Sequence, residues 1–385
     1  MQDTPVTQPA WMDEELEIFK DAAGKFFDAE CAPNAERWEE QGFVDRDIWN
    51  KMGEMGFLNA SISADYGGAG GDFRHEAVLY EQQVKKNAGG IGVSVHSGIC
   101  AHYIQSYGTE EQKQRWLPDM ATGKKVCAIA MTEPGTGSDL QNVKTTAVMD
   151  GNELVVNGQK TFITNGQQAD LIIVVAKTDP TQGSKGISLV MVDATECEGF
   201  KRGRNLKKVG MKSQDTSELF FDNVRVPTSN LIGEQAGQGF IQLMQQLPQE
   251  RLIIGVNCVA IAEQALDETI QYTRERKAFG QSVIDFQNTR FKLAEMKTQI
   301  TIGKTFVNKC VEALMKGELD PATASMAKYW TSQMVNDVVD ECVQLHGGYG
   351  YMWEYPIGRM YADVRIQKIF GGTNEIMKEL IGRTL

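Results

Sequence analysis

The feature that most constrains this chain is a change of rhythm at two points. From about Val126 to Val226, short runs of apolar and β-branched residues alternate with turn residues, whereas on both flanks apolar residues recur every third or fourth position. "VKTTAVM" and "ELVVNGQK" flank Asp150-Gly151, a hairpin signal, and "ADLIIVVAKT", "KGISLVMVDA" and "SELFFDNVRVP" follow. No helix of useful length separates these runs, so an antiparallel barrel or sandwich is expected rather than a parallel crossover sheet. Upstream, "ELEIFKDAAGKFFDAECAPNAERWEE" places Leu16, Phe19, Ala23, Phe26 and Phe27 at helical spacing, and "IGVSVHSGICAHYIQSYG" reads as a small-residue helix ending near Gly108. From Gly237 onward long helical stretches return, with Gly280, Gly317 and Gly347-Gly348 at their ends. These helices are apolar on more than one face, as in a bundle that also packs against a partner subunit. The expectation is an α+β chain with a helical domain over 1–125, a middle antiparallel β barrel or sandwich over 126–235, and a four-helix-bundle-like domain over 236–385.

Composition removes several function classes. With 39 Lys and Arg against 51 Asp and Glu, the net charge is -12. A broad basic surface for nucleic acid is not expected, and any phosphate site must be local. No apolar run reaches the roughly 18 residues of a membrane-spanning helix. The N-terminal stretch "MQDTPVTQPAWMDEELEIFKD" lacks the basic start and apolar run of a secretory signal and is too acidic for a mitochondrial presequence, so a cytoplasmic location is expected. Seven scattered cysteines without C-x-x-C and four histidines without H-x-x-x-H give neither a disulfide framework nor a metal site.

Two stretches carry candidate chemistry on their own residues. "AMTEPGTGSDL" (130–140) joins an apolar run to a loop rich in glycine and hydroxyls, able to bind an anion or a polar ring edge through main-chain N–H groups, though a tight turn requires the same residues. In "GQKTFITNG" (158–166), alternation sends Phe162 and Thr164 to one side of a strand end, where they could stack on and hydrogen-bond to a flat cofactor or simply pack the strand edge. The glycine cluster "YGGAGGD" (66–72) follows no apolar strand and precedes no Gly-Lys-Ser/Thr, so it reads as a connecting loop.

"MTEPGTGSD", "FITNG", "RKAFG", "QLHGGYGY" and "GGTNEIMKELI" occur in the order and spacing of acyl-CoA dehydrogenases, and the resemblance covers essentially the whole chain. It is nearest to the long-chain type through "LPQER" and "YMWEYPI". The resemblance implies FAD as cofactor and α,β-dehydrogenation of an acyl-CoA thioester. Electrons would leave to an electron-transfer flavoprotein, and a homotetramer, a dimer of dimers, would place FAD at a subunit interface. Carried over residue by residue, it implies that Ile129, Ala130, Met131, Thr132, Gly137 and Ser138 line the flavin, with Ser138 also reaching CoA. Phe162, Ile163 and Thr164 would lie at the flavin ring, Phe162 standing where the family often has Trp. Arg276 and Gln287 would hold the FAD of a neighbouring subunit, Arg276 against the pyrophosphate, and Phe279 would also contact FAD. Gln344, Leu345, His346, Gly347 and Gly348 would meet FAD through a helix end, and Thr373, Asn374 and Glu375 form the last flavin-contacting segment. Substrate contacts implied are Ser138, Ser184, Lys185, Ile241, Pro248, Gln249, Arg251, Gly371 and Gly372, with Arg251 a CoA-phosphate partner or a helix-surface ion pair.

Many members of that family carry a catalytic glutamate two residues before the threonine of the last segment, where this chain has Gly371. The alternative carboxylate is Glu250, in line with Leu247, Ile254 and Ile261 on an apolar helical stripe. From spacing alone Glu250 is either a base or a buried carboxylate paired with Arg251 or another cation. The resemblance favours the base, because long-chain and isovaleryl-type members carry theirs at this helix position. The implied substrates are medium- to long-chain saturated acyl-CoAs, straight or branched. The alternatives are an isovaleryl- or citronellyl-type enzyme, an oxidase passing electrons to oxygen, or a relative that binds flavin or acyl-CoA without dehydrogenation.

Overall fold

The computed structural model describes residues 6 and 8–385; residues 1–5 and 7, part of the stretch read for a targeting signal, lie outside the described residues. The chain opens with helices α1 (Glu14–Glu30), α2 (Ala35–Gln41), α3 (Asp47–Glu54), α4 (Phe73–Lys85), the short α5 (Val93–Val95), α6 (His102–Tyr107) and α7 (Glu110–Ala121). The stretch read as one helix breaks into α1 and α2 around Pro33, which has no N–H to give the helix. Asp13 starts α1 by accepting the Leu16 N–H at 3.0 Å, and capping boxes on Asp72 and Thr109 start α4 and α7. Between α5 and α6 the backbone widens into a π-helix over His96–Ala101.

Strands β1 (Cys127–Ala130), β2 (Thr146–Asp150), β3 (Glu153–Thr164), β4 (Leu171–Lys177), β5 (Ile187–Asp193), β6 (Phe200–Asn205) and β7 (Thr216–Pro227) form one curled sheet in the order β1-β4-β2-β3-β7-β6, with β5 also on β4. Most pairings are antiparallel as expected. Strand β1 runs parallel to β4, however, as does the Thr146–Lys177 pair. The β2–β3 hairpin supplies the return path between β1 and β4, so this parallel pair needs no crossover helix. Strand β6, "FKRGRN", is absent from the sequence reading because it is a charged edge strand that pairs only with β7.

Strand β4 is apolar along its length because both faces are covered. Leu171, Ile173 and Val175 pack with Ile104, Trp116, Leu117 and Met120 of the N-terminal helices, while Ile172 and Val174 meet Leu154, Val156, Leu219 and Val224 inside the curl. The C-terminal part comprises α8 (Gly239–Glu275), a hairpin of β8 (Lys277–Ala278) and β9 (Gln281–Ser282), α9 (Gln287–Met315), α10 (Pro321–His346), α11 (Pro356–Val364) and α12 (Asn374–Gly382). A shared core joins it to the first helices through Phe26, Phe57, Leu252, Ile253, Ile300, Val335 and Ile357. Six of the seven cysteines are buried and all are free, and no described helix is long and apolar enough to cross a membrane.

Candidate active site

Glu250 sits near the start of the buried run of α8, 8 % exposed, with the π-helix segment packed beside it. The Tyr103 hydroxyl donates to its Oε1 at 2.7 Å, and the neighbouring Gln249 Nε2 donates to the Gly98 carbonyl at 3.0 Å. Burial pushes the Glu250 carboxyl up to about 7, against the opposing pull of the Tyr103 hydrogen bond and the Arg251 charge. The buried ion pair that the sequence left open is not formed, since no described cation lies within ion-pair reach of Glu250. Tyr103 is the partner that sequence reading missed, hidden in a run of small residues.

One turn along α8, Ile254 meets the loop before α12: a Cβ on Gly371 would press on Ile254 Cδ1. Gly371 and Gly372 both lie in the left-handed region, at φ 64° and 90°. No described group accepts the Gly371 N–H. Glu250 and Gly371 are thus connected through Ile254, which lies one turn from the carboxylate and against the glycine.

The flavin candidates of the β sheet gather at one sheet end. Strand β1 delivers Ile129 and Ala130, and the loop continues through Met131 and Thr132 to the exposed Gly137 and Ser138. A bulge in β3 between Lys160 and Ile163 turns Phe162 outward, 66 % exposed and at φ 60°, with Ile163 buried and Thr164 half-buried beyond it. Beneath the loop is a buried pair that sequence reading missed. Lys160 Nζ donates to Glu133 Oε1 at 2.9 Å and to the Met131 and Val175 carbonyls at 3.0 and 2.7 Å. Glu133 also accepts the N–H groups of Lys144 and Thr145. The signal was available: Lys160 is in phase with the inward Leu154 and Val156.

A second cleft, about 490 Å³, is lined by Tyr272, Arg276, Val283, Gln344, Leu345, His346, Gly347, Gly348, Tyr349 and Met352. His346 is buried, stacks on Tyr272 and gives its Nδ1 to the Cys342 carbonyl at 2.8 Å, so it serves packing there. Phe279 stands at the tip of the β8–β9 hairpin, 97 % exposed at φ 52°, and Gln287 opens α9 nearby. This cleft shares no lining residue with the sheet-end loop.

Three family models match in sequence: the N-terminal domain of acyl-CoA dehydrogenases over 13–124, the middle domain over 128–224 and the C-terminal domain over 237–385. The chain belongs to the acyl-CoA dehydrogenase family. It is 50 % identical to the mitochondrial long-chain specific acyl-CoA dehydrogenase of Rattus norvegicus, over 96 % of this chain and 86 % of that protein. The crystal structure of an acyl-CoA dehydrogenase from Geobacillus kaustophilus superposes with a TM-score of 0.96 at 47 % identity, covering 98 % of this chain and 99 % of that one. A glutaryl-CoA dehydrogenase of Mycobacterium smegmatis, solved with FADH2, follows at a TM-score of 0.90 and 28 % identity, covering 97 % and 95 %. Acyl-CoA dehydrogenases are FAD-dependent oxidoreductases, and this chain is one.

The residues present fit FAD. A Cβ on Gly135, Gly137, Gly347 or Gly348 would meet open space, so backbone is bare at the sheet-end loop and at the second cleft. Two aromatics, Phe162 and Phe279, are held outward on left-handed backbone, and Arg276 offers an exposed guanidinium. Such a set suits a flat ring at one end and a pyrophosphate at the other.

Among the substrate candidates, Ser184 and Lys185 lie in the turn before β5, which packs on Gly237 ahead of α8, and Ile241 is exposed on the first turns of that helix. Pro248 is buried and Gln249 half-buried. Arg251 is 4 % exposed, its Nη1 donates to Ser325 Oγ at 3.3 Å and its Nε has no described partner, so the helix-surface ion pair that the sequence also allowed is not formed. The apolar stripe turns this side of α8 inward, and its neighbour Glu250 goes with it. In the last segment Asn374 Oδ1 accepts from Lys328 and Ser332 of α10, while Thr373 caps α12 and Glu375 is exposed. In the small-residue stretch a Cβ on Gly90, Gly92 or Gly98 would strike Ser213, Asn165 or Tyr80, so these glycines permit close packing rather than open space.

Proposed function

We propose that this chain dehydrogenates medium- to long-chain saturated acyl-CoA thioesters to trans-2-enoyl-CoA, with Glu250 as the base that takes the α-proton. The observation that carries the reading is a buried carboxylate with its pKa raised to about 7 on the helix whose next turn, at Ile254, meets Gly371, a residue whose N–H has no described acceptor. A thioester α-proton is weakly acidic, so its removal requires a base poised near neutrality and a donor for the negative charge that develops on the carbonyl oxygen. Tyr103 fixes the Glu250 carboxylate from the side of Oε1 and leaves Oε2 for the substrate. The bound acyl chain excludes water and keeps the carboxylate basic. Gly371 supplies its N–H to the thioester oxygen. FAD, when bound, supplies the acceptor for the hydride that leaves Cβ.

The same proposal assigns the flavin to Ile129–Thr132, Gly137, Ser138 and Phe162–Thr164, and assigns Arg276, Phe279, Gln287 and Gln344–Gly348 to the FAD of a neighbouring subunit. The cleft that holds Arg276 and Gln344–Gly348 shares no lining residue with the sheet-end loop, which supports that division. A homotetramer, electron-transfer flavoprotein as acceptor, domains at 1–125, 126–235 and 236–385, and a cytoplasmic location complete the reading.

Anaerobic flavin bleaching across acyl-CoAs from butyryl to palmitoyl, with isovaleryl- and citronellyl-CoA included, tests the function. Bleaching should be fastest with medium to long chains. A wide preference for isovaleryl-CoA would sink the long-chain assignment, and no bleaching by any saturated acyl-CoA would sink the dehydrogenase reading. Arg276→Ala should weaken FAD retention and loosen the oligomer together, because a cofactor bridging two chains links the two equilibria. Sedimentation of the variant with and without FAD measures both, and an apo-protein with unchanged assembly counts against the bridge.

A further inference from the structure

The loop that presents Gly371 is held from outside itself. Two consecutive glycines in left-handed conformation lose more conformational freedom on ordering than any other pair, so their fixed geometry requires an anchor. That anchor comes from α10. Lys328 has no exposed surface, and its Nζ donates to the Gly372 carbonyl at 2.8 Å and to Asn374 Oδ1 at 3.0 Å. Ser332 Oγ donates to the same Oδ1 at 2.9 Å. Among the described residues Lys328 forms no ion pair. A buried ammonium without a counter-ion is costly, and a methionine would fill the same volume without that cost, so packing does not account for the lysine.

Its two acceptors flank the segment that matters. Gly372 follows Gly371 directly and Asn374 begins α12, so the ammonium clamps the chain just beyond the free Gly371 N–H, while Ile254 closes the other side one turn from Glu250. We propose that Lys328 is a positioning residue that, through the Gly372 carbonyl and Asn374, aims the Gly371 N–H at the thioester carbonyl oxygen. The proposal rests on the dehydrogenase reading given above.

The test uses FAD-loaded enzyme and octanoyl-CoA carrying carbon-13 at the thioester carbonyl, bound to Glu250→Gln so that it persists. Isotope-edited infrared difference spectra should show the bound carbonyl stretch lowered from its free value in Glu250→Gln, and returned most of the way when Lys328→Met is added. With Glu250 intact, Lys328→Met should lower kcat by roughly the 100-fold that loss of one oxyanion donor costs, with KM little changed. Lys328→Arg should restore part of both. An unshifted stretch and unchanged kcat in Lys328→Met would leave the lysine a structural residue only and overturn the proposal. If Lys328→Met does not fold, Ser332→Ala, which loosens the same clamp, should show a smaller loss of carbonyl shift; no loss there overturns it equally. A carbonyl already at its free value in Glu250→Gln also overturns it. Bleaching of wild-type flavin then reports separately whether the dehydrogenase reading survives.

Discussion

Glu250→Gln should reduce its flavin with saturated acyl-CoA roughly 100- to 10,000-fold more slowly than the wild type, the range that a positioned general base contributes. The folded structure and FAD binding should hardly change, since the amide matches the carboxyl in size and its oxygen can still accept from Tyr103. Stopped-flow bleaching with matched substrates measures the effect, and a variant that bleaches at the wild-type rate would make Glu250 a structural carboxylate. The pH dependence follows from the raised pKa. At subsaturating substrate, the wild-type rate should climb with pH up to about 7 and level off above it, and Glu250→Gln should lack that step.

Stability moves in the opposite direction. An unfolded glutamate loses its proton near 4.5 and the folded one near 7, so between these values rising pH favours the unfolded chain, and the full penalty stands above 7. At about 1.4 kcal/mol per pKa unit the penalty is a few kcal/mol, which Glu250→Gln should recover at pH 8 and not at pH 4. Adding Gly371→Glu to Glu250→Gln should restore part of the activity, because that site adjoins Ile254, one turn from residue 250. Rescue should be incomplete and shift chain-length preference. A side chain at φ 64° is strained by roughly 1–2 kcal/mol, and its Cβ must displace the flexible end of Ile254.

The elements above were legible where one residue's neighbours in sequence are also its neighbours in environment. Periodicity separated helix from strand, and the stripe through Leu247, Glu250 and Ile254 placed a carboxylate on a buried helix face. Family motifs marked the loops whose backbone is bare. What stayed hidden depends on contacts far apart in the chain. Strand β6 has no apolar pattern because its solvent edge does not need one, and the parallel β1–β4 pair is set by where a hairpin returns. Tyr103 is 147 positions from Glu250. Arg251 misled because a cation on a helix suggests surface, whereas the stripe it borders turns the whole side inward. Lysines 160 and 328 were passed over for the same reason, although each lies among residues that alternation or helical spacing directs inward.

The pair beneath the flavin loop carries the other large expected effect. Lys160 and Glu133 are both buried, and their separate hydrogen bonds tie the Met131 carbonyl and the Lys144–Thr145 backbone to strand β3. Burial works against the Lys160 ammonium and lowers its pKa, while Glu133 pulls it back up; neither group is comfortable without the other. Lys160→Met or Glu133→Leu alone should therefore destabilise the sheet by about 3–5 kcal/mol, the cost of leaving one buried charge unpaired. Hydrogen exchange of β1, β3 and β4 amides reports this locally, and each single variant should exchange more than roughly 100-fold faster. The double variant should lose far less than the sum, because no unpaired charge remains and two apolar side chains of similar volume fill the space. FAD retention should fall in all three, since Thr161 N–H bonds the Thr132 carbonyl at 2.9 Å and the loop shares its anchor with the strand that bears Phe162. Strict additivity of the two substitutions would show that the charges do not depend on each other, and the sheet end would then be held by its backbone ladder and apolar faces alone.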